Sequence, residues 1–355
     1  MPSTRAHTAL TPRLLPPGSK VVVRATTGLE QVLVSEIAET GHTVEAVSKR
    51  QLIVSPANAS LLSHPPRLAD DLFLLAAEAP DPGVTRAALS RVAEALHFEG
   101  PQLALTTPTV FAVSASFIGR RNYSRFDIED AIGRRLSRQG IGSYFSRRDG
   151  ARPPHGAAQW RITLDGTTMR LGVRPFAAPL HRRPWRTRTV VGSVHPPVAA
   201  AMARLANIQD HHVVLDPCCG AGTVLLEAHA QRPAATFAGR DIDSRAIAAA
   251  EHNGSGLRIS WSLGDAGNTQ EAPGTVDRII VNPPWGVRRH AGDLEGFLSE
   301  WHRIMHPNGL LVALLDESQE PALAADPSWR LASTYPLSLA GRHPRIFLAR
   351  PNTIR

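Results

Sequence analysis

Val213-Val-Leu-Asp-Pro-Cys-Cys-Gly-Ala-Gly-Thr223 is the stretch whose reading decides the fold. An apolar strand runs into an acid, a proline and a turn holding two glycines, and the residues after it have helical spacing. Gly220 and Gly222 permit backbone angles and close approaches that other residues resist. In a doubly wound sheet the carboxyl end of the first strand is where a nucleoside-like ligand sits. The loop is not G-x-G-x-x-G and no G-K-S/T follows, which disfavours dinucleotides and triphosphates. Asp216 is an acid where a pyrophosphate binder would want none, so it suits a ligand with a cationic end.

Working outward, Ala235–Gly239, Ile259–Leu263, Val276–Val281 and Leu310–Leu315 are further short apolar runs. Helical segments separate them at 222–230, 245–252 and 294–305, an alternation that predicts a parallel sheet with helices on both faces. Trp329–Ser333 and Arg345–Ala349 have no helix between them and predict an antiparallel pair at the sheet edge. Successive strands end in acids. Asp241 is placed to accept from ribose hydroxyls, Asp243 reads as the cap of the next helix, and Asp265 is placed to accept from an adenine amino group. Any one of the three could be a turn residue; at successive strand ends they favour an adenosyl pocket.

Ile280-Val-Asn-Pro-Pro-Trp-Gly286 ends the fourth strand of this unit. Pro283 and Pro284 cannot donate to a ladder, and the residue before a proline is held extended. The Asn282 side chain and the Pro283 carbonyl are then two acceptors able to grip both hydrogens of an exocyclic amino group. That grip favours a pyramidal nitrogen whose lone pair can be aimed at an electrophilic methyl, catalysis by alignment. Trp285 can stack on a base, and a base within a stem would first be flipped out.

These motifs together, D-P-C-C-G-A-G-T and N-P-P-W-G, resemble those of the amino-methyltransferases of RNA, in particular the THUMP-domain tRNA guanine-N2 methyltransferases. The resemblance implies S-adenosyl-L-methionine as cofactor. It puts Ser193, His195, Asp216, Cys219, Gly220, Gly222, Thr223, Asp241, Ile242, Asp265, Ala266 and Asn282 in its pocket, with Asn282, Pro283, Pro284 and Trp285 at the target amine. It implies a Rossmann-like class I methyltransferase domain with a mixed seven-stranded sheet, preceded by an α+β ferredoxin-like and THUMP region. The expected boundaries are a disordered tail over 1–18, a ferredoxin-like domain over 19–75, a THUMP-like domain over 76–178 and the methyltransferase domain over 179–355. Thr27-Gly-Leu-Glu30 resembles the opening of the first, Phe111–Leu136 a THUMP core, Leu180–Arg186 the linker and Ser193–Pro197 the lead-in helix. Trp285 replaces the commoner tyrosine or phenylalanine, and Pro184 stands where glycine is usual.

Upstream, the sequence predicts strands at 20–24, one or two over 44–54, and 110–117, and a hairpin around Asp165-Gly166. It predicts helices at 86–96 and at 127–136, the latter capped by Asp127, and a packing helix over Asp70–Ala79. Residues 150–156 read as a loop.

The 355 residues carry a formal net charge of +8, almost all of the cations being arginine, since Lys20 and Lys49 are the only lysines. Between Phe117 and Arg188 sixteen arginines face five acids, a net of +11. A field so concentrated predicts a polyanionic partner, read here as structured RNA, tRNA above all, with Arg120, Arg121, Arg182, Arg183 and Arg186 as contacts. Cys218 and Cys219 are adjacent and alone, too few for a disulfide framework or a zinc site, and no metal is expected. No apolar run approaches a membrane span. The expected location is cytoplasmic, with no membrane and no obligate protein partner. Alternatives are rRNA guanine-N2, DNA amino- or protein glutamine methylation, or a non-catalytic RNA-binding scaffold.

Overall fold

The computed structural model describes residues 18–96, 110–285, 293–339 and 341–352. The expected N-terminal tail lies outside the described residues except for Gly18, as does Gly286 of the N-P-P-W-G motif. The chain divides into two compact units, one of residues 1–25 and 34–180 and the other of 26–33 and 181–355.

The first unit contains β1 (Val21–Ala25), most of α1 (Glu30–Glu39), β2 (Thr43–Ser48), β3 (Gln51–Ser55), α2 (Ser60–Ser63), β4 (Ala69–Pro80) and α3 (Ala88–Ala95). It continues with β5 (Val110–Phe117), α4 (Arg125–Arg138), β6 (Ser143–Tyr144), β7 (Ala158–Leu164) and β8 (Thr168–Val173). All eight strands join one sheet, in the order β2-β3-β1-β4-β8-β7-β5-β6, and the 75/76 boundary drawn from the sequence falls inside β4.

The packing helix expected over Asp70–Ala79 is instead strand β4. It pairs antiparallel with β1 on one side and β8 on the other, and Leu72, Phe73, Leu74 and Leu75 are all buried. A central strand covered on both faces has no alternation of apolar and polar residues, so periodicity cannot separate it from a buried helix. The α4 cap also differs from expectation. Ser124 is the N-cap and Asp127 the third helical residue, each side chain bonding the other's backbone N–H in a capping box.

The second unit contains α5 (Pro196–Leu205), β9 (Val213–Asp216), α6 (Thr223–Gln231), β10 (Thr236–Asp241), α7 (Ser244–Asn253), β11 (Ile259–Leu263) and β12 (Val276–Val281). After these come α8 (Asp293–Ile304), β13 (Met305–Leu315), α9 (Glu320–Ala325), β14 (Trp329–Pro336) and β15 (Arg345–Pro351). The order is β11-β10-β9-β12-β13-β15-β14, parallel from β11 to β13, with β15 antiparallel between β13 and the edge strand β14. This is the mixed seven-stranded class I methyltransferase sheet expected from the sequence. Ile279, Val281, Leu311, Ala313 and Leu315 pack with Leu298 and Trp301 of α8. The intervening Ile280, Val312 and Leu314 are as deeply buried. Burial on both faces is why these strands read as unbroken apolar runs. The direction of chain reverses between β9, whose neighbour β10 continues toward one edge, and β12, which starts toward the other. A crevice at such a switch point opens beyond the carboxyl ends of the strands.

Thr27 of the T-G-L-E stretch belongs with this second unit, where it forms an isolated bridge to Ser338. Gly28 takes φ +97°, and a Cβ there would overlap the Pro336 carbonyl oxygen. Among the described residues no helix is long and apolar enough to cross a membrane.

Candidate active site

A cavity of about 1150 Å³ opens at the switch point, lined by segments 188–194, 216–221, 241–243 and 264–267 together with Asn282, Pro284 and Phe297. Four strand ends and one approach loop therefore converge on it, all within the second unit.

The glycine loop is built around two left-handed residues. Gly220 has φ +55° and Gly222 φ +81°, the latter being the N-cap of α6. A Cβ on Gly222 would lie 2.7 Å from the Trp261 ring, so conformation and space both exclude a side chain. Gly222 N–H donates to the Cys219 carbonyl at 2.8 Å, closing the turn. Thr223 lines the cavity at the start of α6, and its buried Oγ1 has no partner.

Asp216 is 1% exposed, and its carboxylate accepts from the Cys218 N–H at 3.1 Å. Burial, with the charge of nearby Asp241 in support, pushes its carboxyl well above the usual range. Such a carboxyl ionises readily only when a positive group comes beside it, which agrees with a ligand carrying a positive end. The same burial raises the Cys219 thiol, so it is a packing residue and not a nucleophile. Asp241 accepts from Gly220 N–H and Asp243 N–H, both at 2.9 Å, and so braces the glycine loop from the second strand. Asp243 caps α7 by accepting from Arg245 N–H at 2.9 Å, the role expected of it. Ile242 lines the cavity although 61% exposed. Asp265 lines it too, its Oδ1 accepting from Gly267 N–H at 2.9 Å, and the carbonyl of the adjoining Ala266 accepts from the buried Trp301 indole at 3.1 Å.

Asn282 Nδ2 donates to the Gly192 carbonyl at 3.2 Å, tying the N-P-P-W loop to the approach loop. Its Oδ1 is buried and has no hydrogen-bond partner. Pro284 lines the cavity, but its carbonyl is occupied by Gln319 Nε2 at 3.0 Å. Pro283 is buried and Trp285 half-buried, and neither lines the cavity. The Trp285 indole N–H donates to the Leu314 carbonyl at 3.1 Å, and the Arg342 guanidinium stands 6.0 Å from its ring. Ser193 lines the cavity, with its hydroxyl donating to the Val190 carbonyl. His195 does not; it is the residue before α5, its ring 5.2 Å from that of His181.

Two of the arginines expected on RNA are committed elsewhere. The Arg121 side chain in the first unit is 1% exposed and makes a two-pronged ion pair with the Asp81 side chain, 2% exposed, besides donating to the Gly83 carbonyl at 3.0 Å and the Tyr123 hydroxyl at 2.7 Å. Arg183 in the second unit donates to Glu227 at 2.7 Å, with 10% and 0% of the side chains exposed. Both are corrections: a guanidinium enclosed with its carboxylate is not available to a phosphate. Arg120 and Arg182 are exposed, and Arg186 is half-buried with a buried Nε that lacks a partner.

Reading the sequence missed three residues that shape the cavity. Trp261 fills the space left by Gly222 and Gly239. Phe297 of α8 forms part of the wall, and the buried Asn253 bonds Arg188 N–H at 3.0 Å, the Arg188 carbonyl at 2.8 Å and the Ala221 carbonyl at 3.0 Å. Asn253 precedes Gly254 at a helix end, where it reads as an ordinary terminator. These three buried bonds had no sequence signal.

Residues 183–335 match the family model of the RMKL-like methyltransferase domain. The match falls within the second unit. The chain is 29% identical over 343 residues to the tRNA (guanine(6)-N2)-methyltransferase of Thermus thermophilus, an alignment covering 90% of this chain and 96% of that one. It is 26% identical to the protein of the same name from Archaeoglobus fulgidus, covering 88% of each. The crystal structure of TrmN from Thermus thermophilus superposes with a TM-score of 0.77 at 26% identity, over 94% of this chain and all of that one. This methyltransferase domain thus comes with an upstream unit that the relatives also span.

Proposed function

We propose that the chain transfers a methyl group from S-adenosyl-L-methionine to the exocyclic N2 of a guanine in tRNA. The observation that carries the reading is the buried, partnerless Asn282 Oδ1 at the rim of a cavity walled by Asp216, Asp241 and Asp265. A buried acceptor left open costs about 1–3 kcal/mol, a cost that persists where a ligand supplies the donor.

The residues fit the cofactor. On the cavity wall Asp216 lacks a cation and Thr223 Oγ1 lacks a partner. Asp216 and the glycine loop would hold its methionine end, Asp241 its ribose and Asp265 its adenine amino group. When bound, the cofactor supplies a sulfonium-activated methyl. Asn282 accepts from the target amino group, fixes the nitrogen's orientation and excludes water from its lone pair. No strong general base is needed, because the methylated amine is acidic while cationic.

The substrate rests on the two relatives aligned over about nine-tenths of the chain, both named for guanine N2 at position 6 of tRNA. The exposed arginines of the 117–188 field, Arg120 and Arg182 among them, support a polyanionic substrate. In this reading the upstream unit over residues 19–178 is the ferredoxin-like and THUMP-like RNA-binding part, and the enzyme works in the cytoplasm without an obligate protein partner. Nucleoside mass spectrometry of unmodified tRNA transcripts incubated with enzyme and cofactor tests it. N2-methylguanosine mapping to position 6 is the expected product; N6-methyladenine, or product only on DNA, would overturn the substrate.

A further inference from the structure

The eight-stranded sheet of the first unit folds over on itself. In strand order β3 and β7 are separated by β1, β4 and β8, about 19 Å in a flat sheet at 4.8 Å per strand. Yet Thr163 Oγ1 on β7 lies 3.4 Å from Gln51 Oε1 on β3. Part of the enclosed face is apolar: Val22, Ile53, Phe73 and Leu75 form a small buried cluster. The rest is cationic. Arg24 follows Val22 on the same face of β1, and Arg161 precedes Thr163 on the same face of β7.

These two guanidinium groups are half-buried and have no carboxylate partner among the described residues. Arg24 Nη1 donates to Gln51 Oε1 at 3.3 Å, the same oxygen that Thr163 approaches. Arg161 Nη2 donates to Ser116 Oγ at 3.0 Å, while its buried Nε has no acceptor. Asp71, opposite Arg24 in the β1–β4 ladder, is spent: it takes three bonds from Arg174, at 2.5, 2.9 and 3.0 Å. Asp70 stands 3.9 Å from Arg50, which is exposed at the adjoining hairpin. Burial, then the like charges of Arg161 and Arg50, push Arg24 down to about 9, and burial likewise lowers Arg161. A guanidinium does not give up its proton in a protein, so the cost is met by an anion or not at all. Asp70 and Asp71 act on Arg24, and Asp71 and Glu129 on Arg161, only without direct contact, and enclosed cations whose hydrogen-bond partners are all neutral are destabilising unless a counter-charge joins them.

We propose that Arg24 and Arg161, with Ser116, Gln51 and Thr163 around them, form a binding site for a phosphate-type oxyanion on the folded face of this sheet. Two forked donors, one with an open Nε, match the tetrahedral array of acceptor oxygens. The oxyanion is either a phosphodiester of the RNA or the phosphate of a small molecule. The site stands on first-unit residues alone and does not depend on the methyl-transfer reading.

The test uses the full chain with Arg24→Met, Arg161→Met and Arg161→Lys. Methionine removes the uncompensated charge at similar length, so these variants should melt at or above the parent temperature. Inorganic phosphate, compared with chloride at equal ionic strength, should raise the parent's melting temperature by a few degrees. The rise should vanish in both methionine variants and persist in part with lysine. Weaker tRNA binding in the methionine variants, by about tenfold with a salt slope about 0.9 shallower, would identify the RNA backbone as the source. Unchanged tRNA binding with the phosphate response lost would identify a free phosphate compound. A parent indifferent to phosphate, with variants that bind tRNA as it does, would overturn the site. Failure of the parent to bind tRNA would count against the tRNA reading while leaving the phosphate measurement decisive.

Discussion

Replacing Asn282 with alanine separates a catalytic asparagine from a turn residue, because the two roles predict opposite effects on stability. The side chain holds one donated bond, Nδ2 to the Gly192 carbonyl at 3.2 Å, and one buried acceptor without a partner. Losing the bond costs about 0.5–1.5 kcal/mol, and removing the open acceptor returns about 1–3 kcal/mol. The net runs from about 0.5 kcal/mol of lost stability to about 2.5 kcal/mol of added stability, so the variant should melt close to or above the parent. Turnover should fall about 10²–10³-fold, the loss typical of one aligned polar group at a reacting centre. Calorimetric melting without ligand and single-turnover methyl transfer at saturating RNA and cofactor measure the two effects. A variant that unfolds before the parent yet reacts at nearly its rate would refute the reasoning, since Asn282 would then be holding the loop and nothing more. Activity built on an unsatisfied group is the usual trade of stability for function.

Asp216→Asn should weaken S-adenosylmethionine binding in titration calorimetry while making the unliganded protein more stable at alkaline pH. A carboxyl raised in the folded state contributes stability that is complete below its unfolded pKa and is lost as pH rises through the folded value. The parent's melting temperature should decline over that window, cofactor should reverse the decline, and the asparagine variant should lose this part of the pH dependence; a parent with the same profile as the variant would rule out the buried-acid argument. Arg121→Ala should destabilise the chain by about 3–5 kcal/mol by leaving Asp81 enclosed without its cation. Because that cation holds the Asp81 carboxyl below its usual range, the stability it contributes is present above pH 4 or so and is lost as pH falls through the depressed value. Arg120→Glu should leave melting within about 0.5 kcal/mol and weaken tRNA binding; equal behaviour of the two variants in melting would mean that the buried pair is not the structural element described.

Much of the second unit was legible in the sequence, because its signals are local. A strand, a turn and a helix start within eleven residues announce the glycine loop, and acids at consecutive strand ends need only the alternation of elements to be brought together. Asp243 as a cap, the antiparallel edge pair and the seven-stranded sheet all follow from such short-range patterns. What only the tertiary structure decided is where side chains meet over long separations. A strand buried on both faces is indistinguishable from a buried helix by pattern, so β4 had to be seen between β1 and β8. An arginine's sequence context does not say whether it faces water or a carboxylate forty residues away; Arg121 and Arg183 read as surface charge in the sequence, and the structure pairs them with Asp81 and Glu227. The Asn253 bonds to the glycine loop and the closure that brings Gln51 to Thr163 belong to the same class. Each is a contact between segments whose local sequences carry no trace of one another, and burial, not propensity, determines what the residues do.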